Sequence, residues 1–226
     1  MERPRLVIFD CDGVLVDSEV ISNDVLAKAL TAEGLATTLA EARRAYQGLL
    51  LGEVVRDAEA RLGRALPEDW LPRYERDRTA AFRRELRAVP GAAETVAAVA
   101  AAGIAVCVAS QGKLEKTRLS LELTGLRSQF DERALFSAEQ VPRGKPHPDL
   151  FLHAASTIGA RPAETVVIED SPSGVIAARA AAMRVLGYAA DSDALALERA
   201  GAEVIWSLGE IPALLGLAPG EAVDGR

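Results

Sequence analysis

Short apolar runs, most of them without polar alternation, recur at 5–10, 104–110, 134–137, 165–170, 184–188 and 203–206. A strand with one wet face alternates apolar and polar residues. A run that is apolar throughout suits a strand covered on both faces, the usual setting of parallel sheets. Helical patterns separate the later runs. One opens at Pro90 and Gly91 and ends at Gly103; a second covers 112–124 and stops at Gly125. A third has Pro148 at its first position and closes at Gly159, and Ser171 with Pro172 caps a fourth. This alternation predicts an α/β fold with a Rossmann-like three-layer core and a mostly parallel sheet.

The first run breaks the rhythm. No strand pattern stands between 18 and 85, and helical patterns fill the gap. Ile21, Val25 and Ala29 are spaced by four, with Leu26 and Leu30 alongside and Gly34 following. Thr38 and Glu41 form a capping box. Val54, Val55, Ala58 and Leu62 make a stripe ended by Gly63, and Trp70, Tyr74, Phe82 and Leu86 share a face that Arg78 interrupts. Residues 18–85 therefore read as an all-α insert, and 1–17 with 86–226 as the core. A chain of 226 residues, 49% apolar, can bury such a core without staples. The tail after Leu217 is expected to be loose.

Composition excludes several classes. Net charge is −7, whereas nucleic-acid binders more often carry basic surfaces, so no nucleic-acid partner is expected. No apolar stretch approaches the ~20 residues of a membrane span, and the opening residues lack a signal-peptide pattern. A cytoplasmic protein without a membrane partner is the expectation, with monomer as the default state. Cys11 and Cys107 lie in apolar runs without a CxxC partner, which predicts buried thiols rather than a disulfide or a zinc site.

Chemistry gathers at the ends of the runs. Asp10 and Asp12 close the first run, and alternation in extended backbone lets both face one pocket. Open α/β sheets bind ligands at that carboxyl edge. Glu169 and Asp170 close the run 166–168. Should the two runs be neighbours, four carboxylates converge, and such a cluster needs protons or a cation. Oxygen ligands with retained water suit Mg²⁺, and Mn²⁺ or Co²⁺ can substitute. Gly13 follows Asp12 directly, which breaks the calcium-loop spacing. Ser110 ends another run before Gln111, Gly112 and Lys113 at a helix start, a candidate phosphate cradle. Lys145 sits in a proline-stiffened loop with Pro146 and Pro148, where a fixed ammonium can face a carboxylate and a phosphoryl group.

The ordered set of 10–18 (DCDGVLVDS), Ala109-Ser110, Gly144-Lys145-Pro146 and 167–174 (VIEDSPSG) resembles the haloacid dehalogenase superfamily. The insert resembles that family's small helical cap, and the branch is similar to β-phosphoglucomutase and related sugar-phosphate phosphatases. The resemblance implies that Asp10 attacks phosphorus and that Asp12 protonates the leaving oxygen and later activates water. It implies that Asp10, the Asp12 carbonyl and Asp170 bind Mg²⁺, with Glu169 ligating directly or through water. Ser110 and Lys145 would hold the phosphoryl group. Dehalogenation is disfavoured because the second Asp is present, and phosphonate hydrolysis because it departs from DxD and uses a cap lysine.

Hydrolysis of a small phosphorylated metabolite, a sugar phosphate foremost, through an aspartyl-phosphate is the expected function. A phosphosugar mutase is the alternative, but the place of its cap His holds Ser22, and Leu49-Leu50-Leu51 follows Gly48 where its Arg is expected. A catalytically silent, metal-dependent binding protein is the alternative from another class. Short connections at 17–18 and 85–89 are expected to let the insert open and close. Within it, the stretch Tyr46, Gln47 and Gly48 is the expected substrate contact, with Gln111, Gly112 and Lys113 from the core, and packing of Tyr46 inside the insert is an equal alternative for that residue.

Overall fold

The computed structural model describes residues 3–46, 49 and 51–217. Two compact units emerge: Met1–Leu15 with Ala88–Arg226, and Val16–Arg87. The helical unit is thus two residues longer at each end than 18–85. Within it Asp17 N–H donates to Arg87 O at 3.0 Å, so the connecting backbones pair before the helices begin.

In chain order the elements are β1 (Leu6–Phe9), α1 (Glu19–Ala32), α2 (Leu39–Tyr46), α3 (Leu51–Leu62), α4 (Trp70–Glu85), α5 (Ala92–Ala101), β2 (Ala105–Ser110), α6 (Leu114–Leu123), β3 (Leu135–Ser137) and α7 (Asp149–Ile158). There follow β4 (Thr165–Glu169), α8 (Pro172–Ala180), β5 (Arg184–Tyr188), α9 (Ala194–Ala200), β6 (Glu203–Ile205) and α10 (Ile211–Leu214). The sheet order is β3-β2-β1-β4-β5-β6, and every pairing is parallel. The chain moves outward from β1 to β3, then returns to β4 on the other side of β1. That reversal is the switch point at which such sheets bind ligands.

Both β1 and β4 are buried along their whole length, as continuous apolar runs require. Leu6, Ile8, Cys107, Ala109 and Val167 pack with Phe136, Leu150 and Phe151 in one cluster. The helix ends follow local chemistry. Ser171 Oγ accepts from Gly174 N–H at 3.1 Å, with Pro172 as the first residue of α8. Pro148 stands one place earlier than expected, at the N-cap of α7 rather than its first turn. Gly159 ends that helix at φ +83°, a left-handed conformation that a side chain disfavours.

The helical unit has its own core, including Leu26, Leu30, Val54, Ala58, Trp70 and Tyr74. Thr38 and Glu41 form the reciprocal cap: Thr38 N–H donates to Glu41 Oε2 at 2.8 Å, and Glu41 N–H to Thr38 Oγ1 at 3.2 Å. Trp70 and Tyr74 stack at 5.7 Å. Arg78, the break in that apolar face, lays its guanidinium 5.1 Å from the Tyr74 ring centre, so the charge covers the stripe rather than ending it. Among the described residues, no helix is long and apolar enough to cross a membrane.

Candidate active site

The register of three adjacent strands builds the site. Phe9 pairs with Val108 on one side and Ile168 on the other, so β2, β1 and β4 end nearly level. Asp10 is the first residue beyond β1, and its N–H donates to Ile168 O at 2.9 Å. Glu169 and Ser110 are the last residues of their strands.

Lys145 reaches into this edge from the loop before α7. Its Nζ donates to Asp10 Oδ1 at 2.5 Å and to Ala109 O at 3.1 Å, and it pairs with Glu169 Oε1. The Phe151 ring centre lies 5.1 Å away. The Lys145 side chain is 4% exposed and those of Asp10 and Glu169 are 8% and 0% exposed, so the three charges stand out of water. Removing Lys145 would leave both carboxylates buried without their cation, and breaking a buried pair in this way typically costs ~3–5 kcal/mol. Glu169 is satisfied on its other side too: Oε2 accepts from Ser171 N–H at 3.1 Å and Ser171 Oγ at 2.9 Å.

Burial dominates the Asp10 carboxyl and, with the charges of Glu169 and Asp12, pushes it up to about 7 against the pull of Lys145. Burial alone would lower the Lys145 ammonium, but Asp10 and Glu169 together hold it above its ordinary range. The two shifts have different causes: burial raises Asp10, whereas the two carboxylates raise Lys145 in spite of burial. Burial likewise raises the thiol of Cys11, beside the Asp12 carboxylate, and that of Cys107.

Asp12 pairs with Lys116, an ion pair with side chains 21% and 15% exposed. Lys116 was not among the residues expected here. The available signal is its place in the first turn of α6, because helical side chains lean back toward the N-terminus. Asp170 lies against Gly13, where a Cβ would stand 2.1 Å from Asp170 Oδ2, and Ser192 Oγ donates to that oxygen at 3.4 Å. Ser192 was likewise not foreseen.

The expected convergence of four carboxylates is therefore corrected. Among the described residues, no group of three or more His, Cys, Asp or Glu side chains is placed to hold a metal ion. Asp10 and Glu169 share Lys145, Asp12 turns to Lys116, and Asp170 rests on Gly13. Glu169, expected as a metal ligand, gives its oxygens to Lys145 and Ser171, as a fully buried carboxylate must find donors. The donor chemistry nonetheless fits Mg²⁺. Burial and the nearby Glu169 and Asp12 charges raise Asp10, and Asp10, Asp170 and the Asp12 carbonyl offer hard oxygens.

The remaining expected residues take these places. Ser110 is fully buried and its Oγ accepts from Gly112 N–H at 3.1 Å. Gly112 O in turn accepts from Ser137 Oγ at 2.8 Å. Gln111 turns its side chain to the Lys145 loop, with Oε1 accepting from Lys145 N–H at 2.9 Å. Lys113 is exposed at the N-cap of α6. Tyr46, expected either to meet substrate or to pack within the insert, is 4% exposed inside the helical unit's own core. Its hydroxyl donates to Asp57 Oδ2 at 2.7 Å and accepts from Arg61 at 2.8 Å, which uses its polar group. Gln47 and Gly48 lie outside the described residues.

Comparison with known proteins places this site in context. A family profile described as haloacid dehalogenase-like hydrolase matches residues 4–182. The chain is 30% identical to 6-phosphogluconate phosphatase of Escherichia coli over 192 residues, covering 84% of this chain and 85% of that protein. It is 32% identical to hexitol phosphatase B of the same organism over 205 residues, covering 81% and 84%. A solved HAD family hydrolase from Deinococcus radiodurans, with bound phosphate and sodium, superposes with a TM-score of 0.80 at 35% identity, covering 97% of this chain and 100% of that one.

Proposed function

The chain belongs to the haloacid dehalogenase-like hydrolase family, and from that premise we propose that it hydrolyses phosphomonoesters of small sugar- or polyol-type metabolites through an aspartyl-phosphate on Asp10. The observation that carries the reading is the buried Asp10–Lys145–Glu169 group, with Asp12 two residues beyond the nucleophile. Lys145 fixes Oδ1 of Asp10 and supplies positive charge where the phosphoryl oxygens arrive. Asp10 attacks phosphorus while Asp12 gives a proton to the departing oxygen. Asp12, then a carboxylate, takes a proton from water, which attacks the phosphorus of the aspartyl-phosphate and frees inorganic phosphate and Asp10.

Asp10, the Asp12 carbonyl and Asp170 would hold Mg²⁺, which when bound offsets charge on the phosphoryl oxygens. Phosphate-monoester hydrolysis is among the slowest uncatalysed reactions, so dividing it into two displacements has a large effect. The two phosphatases that the chain resembles act, by their names, on phosphogluconate and hexitol phosphates, which supports a polyhydroxylated substrate. The mutase alternative shares this fold, and what counts against it is Ser22, which occupies α1 where a mutase's cap His is expected. A phosphate-release screen over sugar, polyol, nucleotide and glycolate phosphates with Mg²⁺ tests the reading. Turnover of a polyol or sugar phosphate with net phosphate release supports it. Isomerisation without release supports the mutase, and no turnover of any ester would leave a silent binding protein.

A further inference from the structure

Lys145 is held by its backbone as well as by its ammonium. Its N–H donates to Gln111 Oε1 at 2.9 Å, across a sequence separation that joins the end of β2 to the loop before α7. The neighbouring residue makes this approach possible. A Cβ on Gly144 would stand 2.5 Å from Gln111 Nε2, 2.7 Å from Oε1 and 3.0 Å from Cδ. Gly144 has no positive φ, so its backbone admits alanine, and what an alanine there would disturb is the Gln111 amide, which would have to turn away from Lys145. The stem of Gln111 is itself braced, because Ser110 Oγ accepts from Gly112 N–H and Gly112 O accepts from Ser137 Oγ.

We infer that Gln111 and Gly144 form a latch that positions Lys145, so that Gln111 acts on catalysis through the Lys145 backbone rather than by touching substrate. The consequence for activity rests on the role proposed for Lys145; the latch itself does not. An ammonium at 2.5 Å from the nucleophile tolerates little displacement, and small misplacements of positioned groups lower rates steeply.

Two measurements on the full chain test this. First, amide exchange of residues 142–148 is followed in wild type, Gln111→Ala and Gln111→Glu. The Lys145 amide should exchange faster in Gln111→Ala and stay slow in Gln111→Glu, which keeps an acceptor oxygen. Second, kcat/KM on the best phosphomonoester is compared for Gln111→Ala, Gly144→Ala and the double variant. Each single change should lower it roughly 10-fold, and the double variant should fall roughly 10-fold rather than roughly 100-fold, since both break one latch. Unchanged exchange in Gln111→Ala, or losses that multiply in the double variant, would overturn the inference. A wild-type chain that released no phosphate would sink the proposed activity while exchange still decided the latch.

Discussion

Asp10 is buried beside Glu169 and Lys145, and its burial has a measurable consequence. In the unfolded chain Asp10 titrates near 3.8; in the fold burial moves it to about 7. The folded state therefore holds the extra proton across that window. The stabilisation is complete below the unfolded value and is lost as pH rises through about 7. In chelator, Asp10→Asn should melt above wild type at about pH 8, and the advantage should narrow toward about pH 5. A thermal-melt series checks this, and an advantage that grew on acidification would contradict it. The cysteines make a second case. Burial raises both thiols, and Cys11 and Cys107 are fully buried, so neither presents a thiolate at neutral pH. A thiol reagent should leave both unlabelled in the native protein and label both in denaturant.

At the scale of elements, two glycines set how closely the acidic residues pack. A Cβ on Gly174, in the first turn of α8, would stand 1.9–2.2 Å from the Glu169 carboxylate. Gly174→Ala should push Glu169 off Ser171 and Lys145, lowering kcat/KM by ~100-fold and stability by ~1–3 kcal/mol. Gly13 has φ +78° and meets Asp170 in the same way, so Gly13→Ala adds backbone strain to the clash. Steady-state kinetics with denaturant melts on both variants check this; near wild-type values for either would place the carboxylates elsewhere. These contacts mark the limit of what was legible. Strands such as β1 and β4 were readable because a strand buried on both faces must be apolar throughout, and the ends of β1, β2 and β4 fixed Asp10, Ser110 and Glu169. The stripes of α1, α3 and α4 were readable from helical spacing, and α2 from its Thr38–Glu41 cap. The partners of Asp12 and Glu169 were not, because Lys116 is distant in sequence and only the packed α6 brings it back. The Tyr46 hydroxyl reads as polar and available in sequence, but Asp57 and Arg61, a helix away, consume it. Seven-residue α9 gave too short a pattern to declare itself.

At the scale of the whole molecule, the strand ends of the parallel sheet carry Asp10, Asp12, Glu169 and Asp170, while the loop before α7 brings in Lys145 and α6 brings in Lys116. On the proposed metal assignment, a divalent cation stabilises the fold as well as serving the reaction. Mg²⁺ at 100-fold over its Kd should raise stability by about 2.7 kcal/mol, read as a higher Tm, and chelator should abolish phosphate release. Full activity in chelator would contradict the metal assignment. The central claim is a covalent phosphoryl intermediate on Asp10. Enzyme mixed with a turned-over phosphomonoester, quenched and reduced with borohydride should yield homoserine at position 10 in the peptide containing Cys11 and Asp12. Homoserine at that position, lost in Asp10→Asn, is the predicted result; a turning-over enzyme that left Asp10 unmodified, with homoserine elsewhere or nowhere, would contradict the account.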